Sequence, residues 1–164
     1  MNDAHFRASG TVDGHPVPAG ALSFVHGLWL ESAVDGGLPG RQDFSPERLL
    51  RYLPQIFLID VEPGGERFRY RLIGTQIAAW SGGDATGRWL DDPKCGPGRF
   101  EFIDLVSRVV EGRGPVMTTG KEALFDGSAY LFDRLMLPLA SDGAVIDMVL
   151  GVANGQPRGP MSSA

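Results

Sequence analysis

A chain of 164 residues is sized for one domain, and at that length roughly two-thirds of the unfolded surface can be buried, so no second core is needed. A net charge of −5 excludes nucleic-acid binding through an overall basic surface, because phosphate neutralisation supplies most of that affinity. One cysteine, Cys95, excludes an internal disulfide and a multi-thiolate metal site, and it suits a reducing compartment.

Residues 1–20 mix His, Gly, Pro and polar residues without a period; they are expected to be mobile, as is the tail at 155–164. No apolar core follows a basic start, so no secretory signal is read there. No run approaches the roughly 20 apolar residues that span a bilayer, which makes the cytoplasm the expected location. From Ala21 to Val34, Leu22, Val25, Leu28 and Trp29 recur at three- and four-residue spacing. This predicts an amphipathic helix that either packs on the domain or offers a face to a partner. Ser45-Pro46-Glu47 places an N-cap candidate before a proline at the first helical position, predicting a short helix that ends near Pro54.

The stretch Ile56 to Thr75, IFLIDVEPGGERFRYRLIGT, predicts a hairpin turning at Pro63-Gly64-Gly65. Strict alternation in its second arm sets Arg67, Arg69 and Arg71 on one face and Phe68, Tyr70 and Leu72 on the other. Gly74 to Trp80 predicts one or two helical turns, Asp84 to Asp92 another brief turn of helix, and residues 93–98 a loop holding Cys95. Arg99 to Gly112 is the clearest helix, with Phe102, Leu105, Val106, Val109 and Val110 on one face. Beyond it the period falls to two. Strands are predicted at Val116 to Leu124, Ala129 to Leu139 and Val145 to Val152, joined through Asp126-Gly127 and Asp142-Gly143, dipeptides that tight hairpin turns favour. Strands segregated from a central helical block indicate an α+β fold with one antiparallel sheet, a single domain over residues 21–154.

Chemistry-bearing motifs are sparse. HExxH, paired CxxC, GxSxG and GxxxxGK[ST] do not occur, so zinc hydrolysis, α/β-hydrolase and P-loop chemistry lack their parts, and no metal set is read. Asp91-Asp92 reads as a solvated turn, and Asp84 with Thr86 as a cap. The row Arg67, Arg69, Arg71 has three readings: an edge-protecting solvated face, a cover for the first helix through Glu31 or Asp35, or an anion- or nucleic-acid-contacting strip. Alternation places the neighbouring aromatics on the opposite face, which argues against base stacking and makes nucleic acid the weakest of the three.

The segments LPQIFLIDVEPGGERFRYRLIGTQI, TGRWLDD and RLMLPLASDGAVIDMVLGV, in their joint spacing, resemble small stand-alone bacterial PAS proteins; the resemblance covers Asp43 to Val152. It implies a PAS-like five-stranded antiparallel sheet in the order 2-1-5-4-3, with short helices and the long helix over one face and a cavity between. It also implies a non-catalytic sensory or regulatory domain of signal transduction. On that geometry Tyr70, Trp80 and Tyr130, whose polar tips need partners when buried, form the expected pocket for a small, mainly apolar molecule, with Phe68, Thr75, Phe102, Leu105 and Met148. The same residues also read as core filling. Leu22, Val25, Leu28 and Trp29, with Arg67, Arg69 and Arg71, form the expected interaction surface for another signalling protein or a second copy. Among cofactors of the family, haem is disfavoured because His5, His15 and His26 all precede the first predicted strand. A covalent flavin adduct is disfavoured because Cys95 stands in Lys94-Cys95-Gly96-Pro97, not in an Asn-Cys-Arg-Phe motif. A dimerising or adaptor module with a filled core is the alternative reading. A small enzyme is the third, lacking a visible set of acid, base and nucleophile.

Overall fold

The computed structural model describes residues 10–124 and 126–160, with backbone alone at 159 and 160; the remainder of the predicted mobile ends, 1–9 and 161–164, lies outside the described residues. Where mobility was expected, residues 10–20 instead hold a two-stranded ribbon, β1 (Thr11–Val12) and β2 (His15–Pro16). Asp13 and Gly14 turn it with φ of 51° and 80°, the left-handed pair that tight hairpins require. Val12 and Val17 are buried, which ties the ribbon down; strands of two residues are too short to leave a period.

Helix α1 (Ala21–Ser32) follows. Ser45 caps α2 (Pro46–Leu49), its hydroxyl accepting from the Arg48 N–H at 3.4 Å, and a 3-10 turn carries the chain through Leu50–Gln55. Strands β3 (Ile56–Val61) and β4 (Phe68–Ile73) form the predicted hairpin. Gly74 then donates its N–H to Ile56 O at 2.7 Å, and a Cβ at Gly74 would run into the carbonyl oxygens of Leu53 and Pro54. That close approach is why the strand-to-helix junction carries glycine. Helix α3 (Thr75–Ser81), the long α4 (Arg99–Gly112), and strands β5 (Val116–Ala123), β6 (Ser128–Leu139) and β7 (Met148–Pro160) complete the chain. Strand β7 therefore runs through residues 155–160, where a mobile tail was expected.

The sheet order is β4-β3-β7-β6-β5, all neighbours antiparallel, which is the predicted 2-1-5-4-3. Three local readings need correction. Leu58 pairs with Leu72 and Ile59 with Tyr70, so Arg71 is the extra residue of a β-bulge. The bulge breaks the alternation: Phe68 and Tyr70 join the cluster under α4, whereas Leu72 joins the cluster under α1. The segment at Asp84 to Asp92 is not a turn of helix. Asp84 Oδ1 accepts from the N–H and hydroxyl of Thr86, after which the chain runs along β4, with Tyr70 N–H on Arg88 O, Gly87 N–H on Tyr70 O and Leu90 N–H on Phe68 O. The edge of the sheet is thereby covered, the management such an edge needs.

Asp126-Gly127 turns β5 into β6, Asp126 accepting from Ser128 N–H at 2.9 Å. Asp142-Gly143 does not make the expected tight hairpin. It lies in a longer connection, because Leu139 pairs with Met148 and β7 begins there, not at Val145. Asp142 accepts from the N–H groups of Ala144 and Val145 at 2.8 Å each, and these local bonds compete with ladder pairing.

Both faces of the sheet are covered, which explains why β3 is apolar almost throughout. Ile56 and Leu58 pack toward α1 with Leu135, Leu137, Leu139, Leu150 and Val152. Phe57, Ile59 and Val61 pack toward α4 with Val106, Val109, Met136 and Val149. Among the described residues, no helix is long and apolar enough to cross a membrane.

Candidate ligand-binding cavity

On the α4 side β7 is narrow. Gly151 pairs with Phe57 and Met136, Ala153 with Arg134, and Gly155 with Phe132. A Cβ at Gly151 would enter the Phe57 ring, and one at Gly155 would lie 2.6 Å from Phe132 and 2.9 Å from Trp80. Glycine inside a strand marks such close approaches. Beside this lane a cavity of about 740 Å³ opens between β3, β4, α3 and the start of α4, within the usual range of roughly 300–1,000 Å³ for small-molecule sites.

Its apolar wall comes from Phe57, Tyr70, Ile73, Ile77, Phe102 and Leu105. Phe102 is the hub, with ring centroids 5.9 Å from Phe57 and 6.2 Å from Tyr70, the latter nearly parallel. Charged side chains line the cavity as well: Arg88, Lys94, Arg99 and Arg134, with Asp84, Glu101 and Glu122. Arg134 is paired with Glu122 at 3.2 Å and lies 5.6 Å from the Phe102 centroid. Burial pushes the Tyr70 phenol well above its ordinary range, helped by the Cys95 side chain and opposed by Arg134, so it stays protonated and able to donate. Cys95 lines the same space and contacts Trp89 O at 3.4 Å. Burial, then Asp92, raises its thiol against a weaker pull from Arg88 and Arg99, which keeps it in the poorly nucleophilic form.

Of the residues expected in the pocket, Tyr70, Phe102 and Leu105 are brought together here. Trp80 and Tyr130 are not; they build a neighbouring aromatic trio with Phe132, at centroid distances of 5.0 to 6.4 Å, over the Gly155 end of β7. Thr75 is exposed at the start of α3, and Phe68 is buried in the cluster beside Leu90. Met148 packs into the α1-side cluster, on the far face of the sheet. Arg88, Arg99 and Ile77 were missed because they stand in an irregular segment, at a helix start and in a two-turn helix. No period marks such positions.

The expected interaction surface is likewise redistributed. Leu22, Val25 and Trp29 are buried against the sheet, and Leu28 is half-buried beside them, so α1 packs on the domain. Trp29 Nε1 donates to Pro138 O at 2.9 Å. Arg67 and Arg69 lie over the Trp89 ring, 3.7 and 5.3 Å from its centroid. Arg67 also meets Asp91 at 3.9 Å, and Arg71 meets Asp60 at 3.8 Å; neither Glu31 nor Asp35 is among these partners. Asp92 caps the turn Pro93–Cys95 through the Lys94 N–H. Among the described residues, no group of three His, Cys, Asp or Glu side chains is placed to hold a metal. A second crevice, about 700 Å³, lies between β1, α1, the end of α4 and the start of β5, with His26 in its wall.

Comparison with solved structures finds the same architecture. A light-oxygen-voltage domain studied with a flavin analogue superposes with a TM-score of 0.51 at 18% identity, over 73% of this chain and 90% of that one. VqmA of Vibrio cholerae, a dimer whose conformation shifts in the absence of target DNA, gives 0.51 at 15% identity, over 69% of this chain and 52% of that one. The PAS domain of a Colwellia psychrerythraea protein gives 0.49 at 12% identity, over 68% and 96%. At these identities the likeness is one of fold. Comparison with curated protein sequences finds no match. The family model of the PAS domain matches residues 20–154, from the residue before α1 to the middle of β7, and on that match the chain belongs to the PAS domain family.

Proposed function

We propose that the chain is a non-catalytic sensory domain of signal transduction, working in the cytoplasm, that takes a small molecule into the cavity beside α4. Occupancy is passed on through contacts with another signalling protein or a second copy of the chain. One observation carries the reading: about 740 Å³ of space, walled by Phe57, Tyr70 and Phe102, in a domain whose other face closes on α1 through a continuous buried cluster. A ligand filling that space adds the dispersion contacts the wall lacks and favours whichever arrangement of α3 and α4 fits it.

Native mass spectrometry of the purified chain, with thermal unfolding across a broad metabolite panel, tests this. The expected result is a retained small molecule, or a compound that raises Tm and loses its effect in Leu105→Trp, where the indole occupies the cavity. A ligand-free chain with no shift from any compound overturns the reading.

A further inference from the structure

We propose that the ligand is anionic, a small molecule with an apolar, ring-sized body and one carboxylate or phosphate-type group, and that Arg88 and Arg99 hold that group. The inference rests on the reading of the cavity as the ligand site.

The cavity wall carries four cationic side chains, Arg88, Lys94, Arg99 and Arg134, against three carboxylates, Asp84, Glu101 and Glu122, in a chain whose net charge is −5. The carboxylates are also mostly committed. Asp84 is held by Thr86, Glu122 by Arg134, and Glu101 is exposed to water. Arg88 and Arg99 take part in none of the three ion pairs found among the described residues.

Arg99 is fixed and incomplete. Its Nη1 donates to Gly96 O at 2.9 Å, whereas its Nε is buried without a hydrogen-bond partner. With Nη1 tied to Gly96 and the Phe100 ring centroid 4.4 Å from its Cζ, the guanidinium is held in place, and the rest of its planar fork suits a carboxylate or phosphate. Arg88 is anchored through its backbone, its carbonyl accepting from Tyr70 N–H at 2.9 Å, so its side chain leaves from a fixed point on the covered edge of β4. Cys95 Sγ contacts the carbonyl of Trp89, the residue after Arg88, at 3.4 Å, and Arg99 bonds Gly96, the residue after Cys95, which brings the two arginine-bearing segments together at one end of the cavity. At that end Gly98 is the N-cap of α4 and supplies no side-chain cap, so the positive pole of the helix adds to the field there. Tyr70 and Phe102, nearly parallel at 6.2 Å, offer the surface for the body of the ligand.

A matched pair of dyes tests the charge separately from the cavity. 1-Anilinonaphthalene-8-sulfonate and N-phenyl-1-naphthylamine share one aromatic body and differ in the sulfonate. Titrated by fluorescence into the full chain at low salt, the sulfonate dye should bind at least about tenfold more tightly, the scale of one charge-assisted hydrogen bond. Arg88→Gln and Arg99→Gln should each remove much of that preference, and the double variant nearly all of it, with the neutral dye unchanged. Arg88 lies in a surface segment, so its variant keeps the test open if Arg99→Gln unfolds. Leu105→Trp should weaken both dyes. Displacement of the sulfonate dye by phenylacetate or by phenyl phosphate, but not by phenol, supports the inference and tells the two headgroups apart. Equal binding of both dyes, unaffected by the arginine variants but lost in Leu105→Trp, overturns the anion inference and leaves the cavity reading standing. Binding of neither dye, or binding indifferent to Leu105→Trp, overturns both.

Discussion

Strands β6 and β7 present different materials to the two sides of the sheet. Toward α1 they offer Leu135, Leu137, Leu139, Leu150 and Val152, all without exposed surface. Toward α4 the alternate positions hold Arg134, Met136, Gly151 and Ala153. Branched aliphatic side chains on one face interlock with a helix and leave no room. Glycine on the other admits aromatic rings, Phe57 over Gly151 and Phe132 with Trp80 over Gly155, and the open volume lies past them, between Phe57, Tyr70, Phe102 and Arg134. The packed side supplies stability that the open side gives up.

The largest effect should separate these faces directly. Leu135→Ala empties a site with no means of collapse and is expected to cost about 2–5 kcal/mol. Leu105→Ala, which enlarges a space that already exists, should cost about 1 kcal/mol. Urea denaturation of both variants measures the difference, and equal losses would remove the contrast between filled and open faces. Next comes Gly151→Ala. Its methyl group meets the Phe57 ring, so overpacking of about 1–3 kcal/mol is expected. Phe57→Leu in the same chain should recover part of that loss, giving a coupling term in a double-mutant cycle.

These positions also indicate what the sequence could disclose. The long helix was legible because Phe102, Leu105, Val106, Val109 and Val110 keep one face and Gly112 marks its last residue, although the left-handed turn that ends it falls on Arg113. The sheet order came from the resemblance; no pairing is written in a single strand. What misled was local. Alternation from Arg67 to Leu72 looks unbroken, yet a bulge at Arg71 moves Leu72 to the other face, the exchange that a one-residue slip produces. Trp80 and Tyr130 have the right chemistry for a pocket, but the small residue at Gly155 draws them onto β7 with Phe132. Arg88 and Arg99 became visible only when the cavity brought distant segments together, since nothing in their own neighbourhoods distinguishes them from solvated arginines.

The α1 face offers a smaller test of how completely it is closed. Trp29→Phe keeps the ring and removes the bond to Pro138 O, leaving a buried carbonyl without its donor. A loss of about 1–3 kcal/mol is expected in the same denaturation assay. A neutral result would mean that water reaches this carbonyl, and that the seam between α1 and β6 is less dry than the packing implies.

The smallest expected effect concerns His26, a buried polar side chain of α1 beside the second crevice. Its side chain is 3% exposed, its Nδ1 has no partner, and its ring lies 6.4 Å from Trp29. The charged groups lining the crevice around it are Asp13, Arg108 and Glu111. Burial holds its pKa below the ordinary 6.5, so the unfolded chain takes up this proton before the folded chain does. Stability from this group is therefore complete above pH 6.5 and declines as the pH falls from there toward the lowered folded value, below which it levels off. The carboxyls of Asp84, Asp126 and Asp142 are held below their ordinary 3.8 by local hydrogen bonds, so they act in a more acidic window. Thermal unfolding between about pH 7.5 and pH 5 should show Tm falling in the parent chain. In His26→Gln the same scan should be flat. A slope that persists in the variant would assign the pH response elsewhere and leave His26 as a neutral ring filling the seam.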